Sequence, residues 1–157
     1  MIDFGLAKRY KDPKTGKHHS YRDVRSLTGT IRYASINSHM GVELSRRDDI
    51  ESFVYALLYF MKGSLPWMGI KASKKREKIE KITSIKTTIP SQKVCEGCPS
   101  KNDLDEIASI LDHVKRLKYD EKPSYNLIRK TLHDLVYTKT DGLNLVFEWS
   151  HNLVCLN

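Results

Sequence analysis

The sequence predicts a mainly α-helical chain, and three observations carry that prediction. The apolar residues between Ile50 and Met61 are spread round the whole circumference of a helix rather than along one stripe. Between Leu104 and Leu117 they recur every three or four residues on one side. Ser and Asp stand where such helices begin, and Gly and Pro where they stop.

Residues 1–47 are polar and rich in Thr, Ser, Gly and His, with neither alternation nor helical recurrence, so a long loop is expected there. Ser45 or Asp48 can cap the first helix, whose apolar residues Ile50, Phe53, Val54, Ala56, Leu57, Leu58, Phe60 and Met61 run to Gly63. A helix apolar on all sides is expected to be a buried central one. The Gly63-Ser-Leu-Pro-Trp67 stretch ends it. The spacing of Ile79, Ile82 and Ile85 predicts a second helix over Ser73–Ile85, with lysines on its remaining positions. Ser100 and Asp103 have the spacing of a capping box and open a third, carrying Leu104, Ile107, Ala108, Leu111, Val114 and Leu117 on one face. A fourth follows Pro123, with Ser124 as cap and Leu127, Ile128, Leu132, Leu135 and Val136 turned inward. Strand content is expected to be minor.

The 157 residues suit one ordinary globular domain, and 39% hydrophobic with 29% charged residues excludes a disordered or fibrous chain. The longest apolar stretch, Phe53 to Met61, falls far short of the roughly 20 residues of a membrane span. No leader pattern opens the chain, so a soluble protein of the cytoplasm or nucleus, with no membrane partner, is expected. Cys95-Glu-Gly-Cys98 is a lone C-x-x-C without a second pair for zinc, and Pro90 and Pro99 bracket it as a loop. His18 and His19 lie in a polar loop without a third ligand. A net charge of +8 favours anionic partners. The positive residues concentrate in two places: Lys8, Arg9, Lys11, Lys14, Lys17, Arg22, Arg25 and Arg32, then Lys71, Lys74, Lys75, Arg76, Lys78 and Lys81. A lysine-rich helix face is ordinarily only solvated, and that reading stands beside the functional one for Lys74, Lys75 and Lys81.

Near its start the chain reads Asp3-Phe4-Gly5, the signature of a kinase magnesium loop. A carboxylate suits hard magnesium, and the glycine permits a sharp turn behind it. Three residues alone are weak. The block from Leu27 to Asn37 reads Leu-Thr-Gly-Thr-Ile-Arg-Tyr-Ala-Ser-Ile-Asn, followed by His39-Met-Gly-Val-Glu43, by Ser45-Arg-Arg-Asp-Asp-Ile-Glu-Ser52 and by Gly63-Ser-Leu-Pro-Trp67. In order and spacing these blocks resemble the casein kinase 1 family of serine/threonine protein kinases, in which Ser-Ile-Asn replaces the usual Ala-Pro-Glu. The similarity runs from Ile2 to about Trp149.

The resemblance implies the C-terminal helical lobe of the protein-kinase-like fold, with the N-lobe and catalytic loop absent. Residues 1–149 would be a partial kinase domain, divided into magnesium loop and activation segment (1–47) and helical subdomain (48–149), with 150–157 a tail. It implies Asp3 as magnesium ligand, Thr30 as brace of the catalytic aspartate, and Asp49 as tether of the catalytic loop at the start of the central helix. Arg32, Gly69 and Lys78 match the family's pocket for acidic or already phosphorylated substrates, and Lys8 and Arg25 a second anion site. Val54 departs from the glycine usual in that family's central helix.

Kinases place the Gly-rich loop, the strand lysine, its helix glutamate and the His-Arg-Asp base before Asp-Phe-Gly, where this chain has only Met1 and Ile2. Magnesium and ATP would therefore serve a full-length kinase, and this stretch alone is expected to bind neither and to transfer no phosphate from labelled ATP. Its central helix would be left partly bare, favouring self-association over a sharp two-state melt from a clean monomer. Two other readings remain: a non-catalytic docking decoy or scaffold derived from a kinase, and a basic binder of nucleic acid, the last suggested by charge alone.

Overall fold

Among the residues that the computed structural model describes, 4–24, 27 and 29–137, regular structure is helical. In chain order the helices are α1 (Ile36–Met40), α2 (Arg46–Lys62), α3 (Lys75–Thr88), α4 (Ser91–Cys95), α5 (Lys101–Arg116) and α6 (Tyr125–Tyr137). Extended pairing is confined to two isolated bridges, Lys11 with His18 and Asp23 with Val42. No described helix is long and apolar enough to cross a membrane. Asp3, Arg25 and the 150–157 tail lie outside the described residues.

The chain divides into two compact units, Met1–Pro123 and Ser124–Asn157. Within the first, α5 packs on both α2 and α4, and α1 packs on α3 and α2. The core is built from Val54, Tyr55 and Leu58 of α2, Ile107, Leu111 and Val114 of α5, Val94 and Cys95 of α4, and Trp67 from the intervening turn. In the second unit α6 starts where the Ser124 carbonyl accepts from the Ile128 N–H at 3.0 Å. Ile128 and Leu135 are buried, whereas Leu127 and Val136, expected to point inward, are exposed.

The helix boundaries follow local chemistry. Ser45 caps α2, and the Asp48 carboxylate accepts from the Ser45 N–H at 2.8 Å. Gly63 closes it in the left-handed region at φ 71°, its N–H donating to the Tyr59 carbonyl at 2.8 Å. At α5 the capping box forms in both directions, Asp103 N–H to Ser100 Oγ and Ser100 N–H to the Asp103 carboxylate, each at 3.1 Å.

Two expectations are corrected here. The first is the all-round burial read from the apolar pattern of the central helix, as distinct from the partly bare face that the resemblance implies: α2 buries Val54, Tyr55 and Leu58 but leaves Phe53 47% and Phe60 80% exposed. Its neighbours α1 and α5 cover one side, and a pattern apolar all round carries no information on which side that is. The second is the loop round Cys95: Ser91–Cys95 is one short helix, packed against α5. Cys95 is fully buried there, and burial pushes its thiol up to about 12, so it is a packing residue with negligible thiolate at neutral pH.

Candidate functional site

The motif block after Thr30 is joined to the head of α2 by two buried carboxylates. Asp48 accepts from Ser35 Oγ at 2.8 Å and from Asn37 Nδ2 at 2.9 Å through the same oxygen, Oδ1, while Oδ2 takes the Ser45 N–H. Three residues on, Glu51 Oε1 accepts from the Ile36 N–H at 2.9 Å and from the Tyr55 hydroxyl at 2.7 Å. Burial raises the pKa of both Glu51 and Tyr55, and the hydrogen bonds to Glu51 oppose the first of these shifts. The side chains of Ser35 and Asn37 and the Ile36 N–H therefore all bond the first turns of α2, the Ser35 hydroxyl also accepting from the Ser38 N–H to cap α1. Of the two adjacent aspartates it is Asp48 that is buried. Asp49 is exposed as a whole, yet protein crowding round its carboxylate, followed by the Asp48 charge, raises its pKa.

A second hub lies between the 31–34 loop and α3. Lys86 is 0% exposed, and its ammonium donates to the carbonyls of Ala34 at 2.6 Å, Ile31 at 3.1 Å and Arg32 at 3.3 Å. His39 Nε2 lies 3.1 Å from it and accepts, which places the ring proton on Nδ1. The rings of Trp67 and Tyr55 stand 4.7 and 5.0 Å from the same nitrogen. Burial, and then the Lys86 charge, hold His39 down to about 4, so its imidazole is neutral at pH 7.

Arg32 sits on this hub. Trp67 Nε1 donates to its carbonyl at 2.8 Å, and its guanidinium lies over the rings of Tyr59 and Tyr33 at 4.9 and 5.7 Å. Gly69 follows in the left-handed region at φ 75°. Lys78 is exposed on α3, eight residues before Lys86 and so about 12 Å further along the helix. Thr30 is exposed, and its carbonyl accepts from the N–H groups of Tyr33 and Ala34, both at 2.9 Å.

Lys8 is drawn to a different partner from the one expected. It pairs with Glu43, whose other oxygen takes Arg22 Nε at 2.7 Å. The hydrogen bonds from Lys8 and then from Arg22 hold the nearly buried Glu43 carboxyl below its ordinary range. Lys8, Gly29, Glu43, Arg46 and Asp49 line one cleft of about 440 Å3, and Lys8, His19, Ser20, Arg22 and Glu43 a second of about 320 Å3. Arg25, the expected companion of Lys8, lies outside the described residues.

Asp3, the implied magnesium ligand, also lies outside them, and among the described residues no group of three or more His, Cys, Asp or Glu side chains comes together to hold a metal. His18 is packed among aromatic rings, 4.7 Å from Tyr119 and 5.7 Å from Tyr10. The hub residues that sequence reasoning missed are Lys86, Asp48 as the buried aspartate, and Glu51. A lysine amid lysines on a polar helix carries no signal of burial, because its partners are carbonyls more than 50 positions away in the chain.

Fold and site together define a mainly helical chain in which a basic loop is fastened to the head of one helix and to a buried lysine on another. No protein-family model matches the chain.

Proposed function

We propose that the chain is the activation segment and helical part of a casein kinase 1-like serine/threonine protein kinase, the parent activity being ATP-dependent phosphorylation of Ser or Thr in acidic or pre-phosphorylated proteins. Its own share of that activity is to dock the anionic substrate on Arg32, Gly69 and Lys78. The observation that carries the reading is the fate of the Ser35-Ile36-Asn37 block, whose every member bonds an acid on α2. Motif residues used this way fix the loop that bears Arg32, which is what a docking segment needs.

Magnesium, held through Asp3 in this reading, would neutralise charge on the ATP phosphates in the full-length kinase. The 157 residues contain no His-Arg-Asp sequence, so the catalytic base is not among them. The same chemistry serves the second reading, a docking decoy or scaffold that binds without transfer. The exposed Phe53 and Phe60 strip is where self-association is assigned.

A titration against a phosphoserine peptide and against duplex DNA tests the docking role. Arg32→Ala and Lys78→Ala are each expected to weaken peptide binding about tenfold, the loss of one charge-assisted contact. DNA binding with a steep salt slope and indifferent to both substitutions, without peptide binding, would favour a generic basic surface instead.

A further inference from the structure

We propose that Lys86 is a positioning residue for the anion site: its ammonium holds the 31–34 loop in the conformation that presents Arg32. The inference rests on the reading of Arg32 as an anion-binding residue.

A buried ammonium is costly unless its hydrogen bonds are all made. Among the described residues no carboxylate oxygen forms an ion pair with Lys86. Four acceptors instead surround its three N–H bonds, and three of them are carbonyls of the single short loop Ile31–Ala34. Carbonyl dipoles converging on one point repel one another, so a cation at that point is what lets the loop keep this curvature. Arg32 lies in the middle of it. Its carbonyl is fixed from two directions, by Lys86 and by Trp67, and its guanidinium is laid on Tyr59. An arginine held in this way loses little freedom when an anion arrives.

Besides the loop carbonyls, neutral His39 of α1 and the Tyr55 ring of α2 face the Lys86 ammonium, and the Glu51 charge of α2 acts on it. Burial lowers the Lys86 pKa to about 7, against an opposing pull from the Glu51 charge. The ammonium is thus lost as the pH rises through neutrality, and with it the full set of donors to the loop. By reciprocity, an anion on Arg32 and a proton on Lys86 favour each other.

The test is the affinity of the whole chain for a peptide carrying a serine O-sulfate, whose charge is constant from pH 6 to pH 9. Wild-type affinity is expected to fall about tenfold across that range. Lys86→Met keeps the aliphatic stem and every other titrating group, and should bind at the weak high-pH level throughout, with a flattened profile. The Trp67 indole N–H resonance, which reports on the Arg32 carbonyl, should shift in the wild type with the same midpoint as the affinity. Wild-type affinity and pH profile in Lys86→Met would overturn the proposal. If that variant does not fold, a pH-independent affinity in the wild type overturns it equally. Binding weakened by Arg32→Ala but untouched by Lys86→Met sinks this inference alone; binding untouched by Arg32→Ala sinks the reading beneath it.

Discussion

Trp67→Ala is expected to lower the unfolding free energy by about 3–5 kcal/mol, among the largest losses for a single substitution in the first unit. Trp67 is only 2% exposed, and its ring meets Tyr55 edge-on at 4.8 Å, where the core of α2 turns toward α3. Alanine would leave a cavity there, remove one wall of the Lys86 cage, and strip the Arg32 carbonyl of its indole donor. Trp67→Phe separates these effects. It keeps most of the ring and loses only the N–H, so a cost of about 1–2 kcal/mol is expected. Urea unfolding followed by far-ultraviolet circular dichroism measures both, and a loss below about 1 kcal/mol for Trp67→Ala would contradict the packing described.

Asp48→Ala is expected to cost a comparable amount, roughly 3–5 kcal/mol, for a different physical reason. The volume removed is small. What is lost is the acceptor for three donors, the Ser35 hydroxyl, the Asn37 amide and the Ser45 N–H, the first and last of which are buried. The cap of α2 and the anchor of the 35–37 block fail together, so the effects reinforce rather than merely add. Asp48→Asn keeps the shape and one good acceptor, and an intermediate loss is expected. A neutral result for Asp48→Ala in the same unfolding assay would mean that the block is not held through this carboxylate.

How much of this was legible in the residues depended on whether the signal was local. Helix α5 could be read nearly whole, because a one-sided apolar stripe and a Ser100–Asp103 box both lie within its own sequence; only Ile110, buried outside the expected stripe, and Leu104, half-buried within it, depart. Helix α2 was legible as a helix but not in its burial. Phe53 and Phe60 are as apolar as Leu58, and only the placement of α1 and α5 decides which are covered. Helices α1 and α4, five residues each, are too short for any periodicity to show. The site divides in the same way. The block from Thr30 to Asn37 stands out as a motif, but its anchors Asp48, Glu51 and Lys86 are distant in sequence and are polar residues that ordinarily face water. Asp48 and Asp49 are neighbours of one chemistry, and helical geometry alone turns one inward and the other out.

The claim on which the account turns is that an anionic peptide settles at Arg32, and the most direct measurement is the set of backbone amide shifts on adding a phosphoserine peptide to the 15N-labelled chain. Saturable shifts are expected to cluster at Arg32 and Tyr33, at Gly69 and at Lys78, and in Arg32→Ala to need about tenfold more peptide for saturation. Shifts confined to Lys74, Lys75 and Lys81, or fading uniformly with added salt, would contradict it and leave only a charged surface.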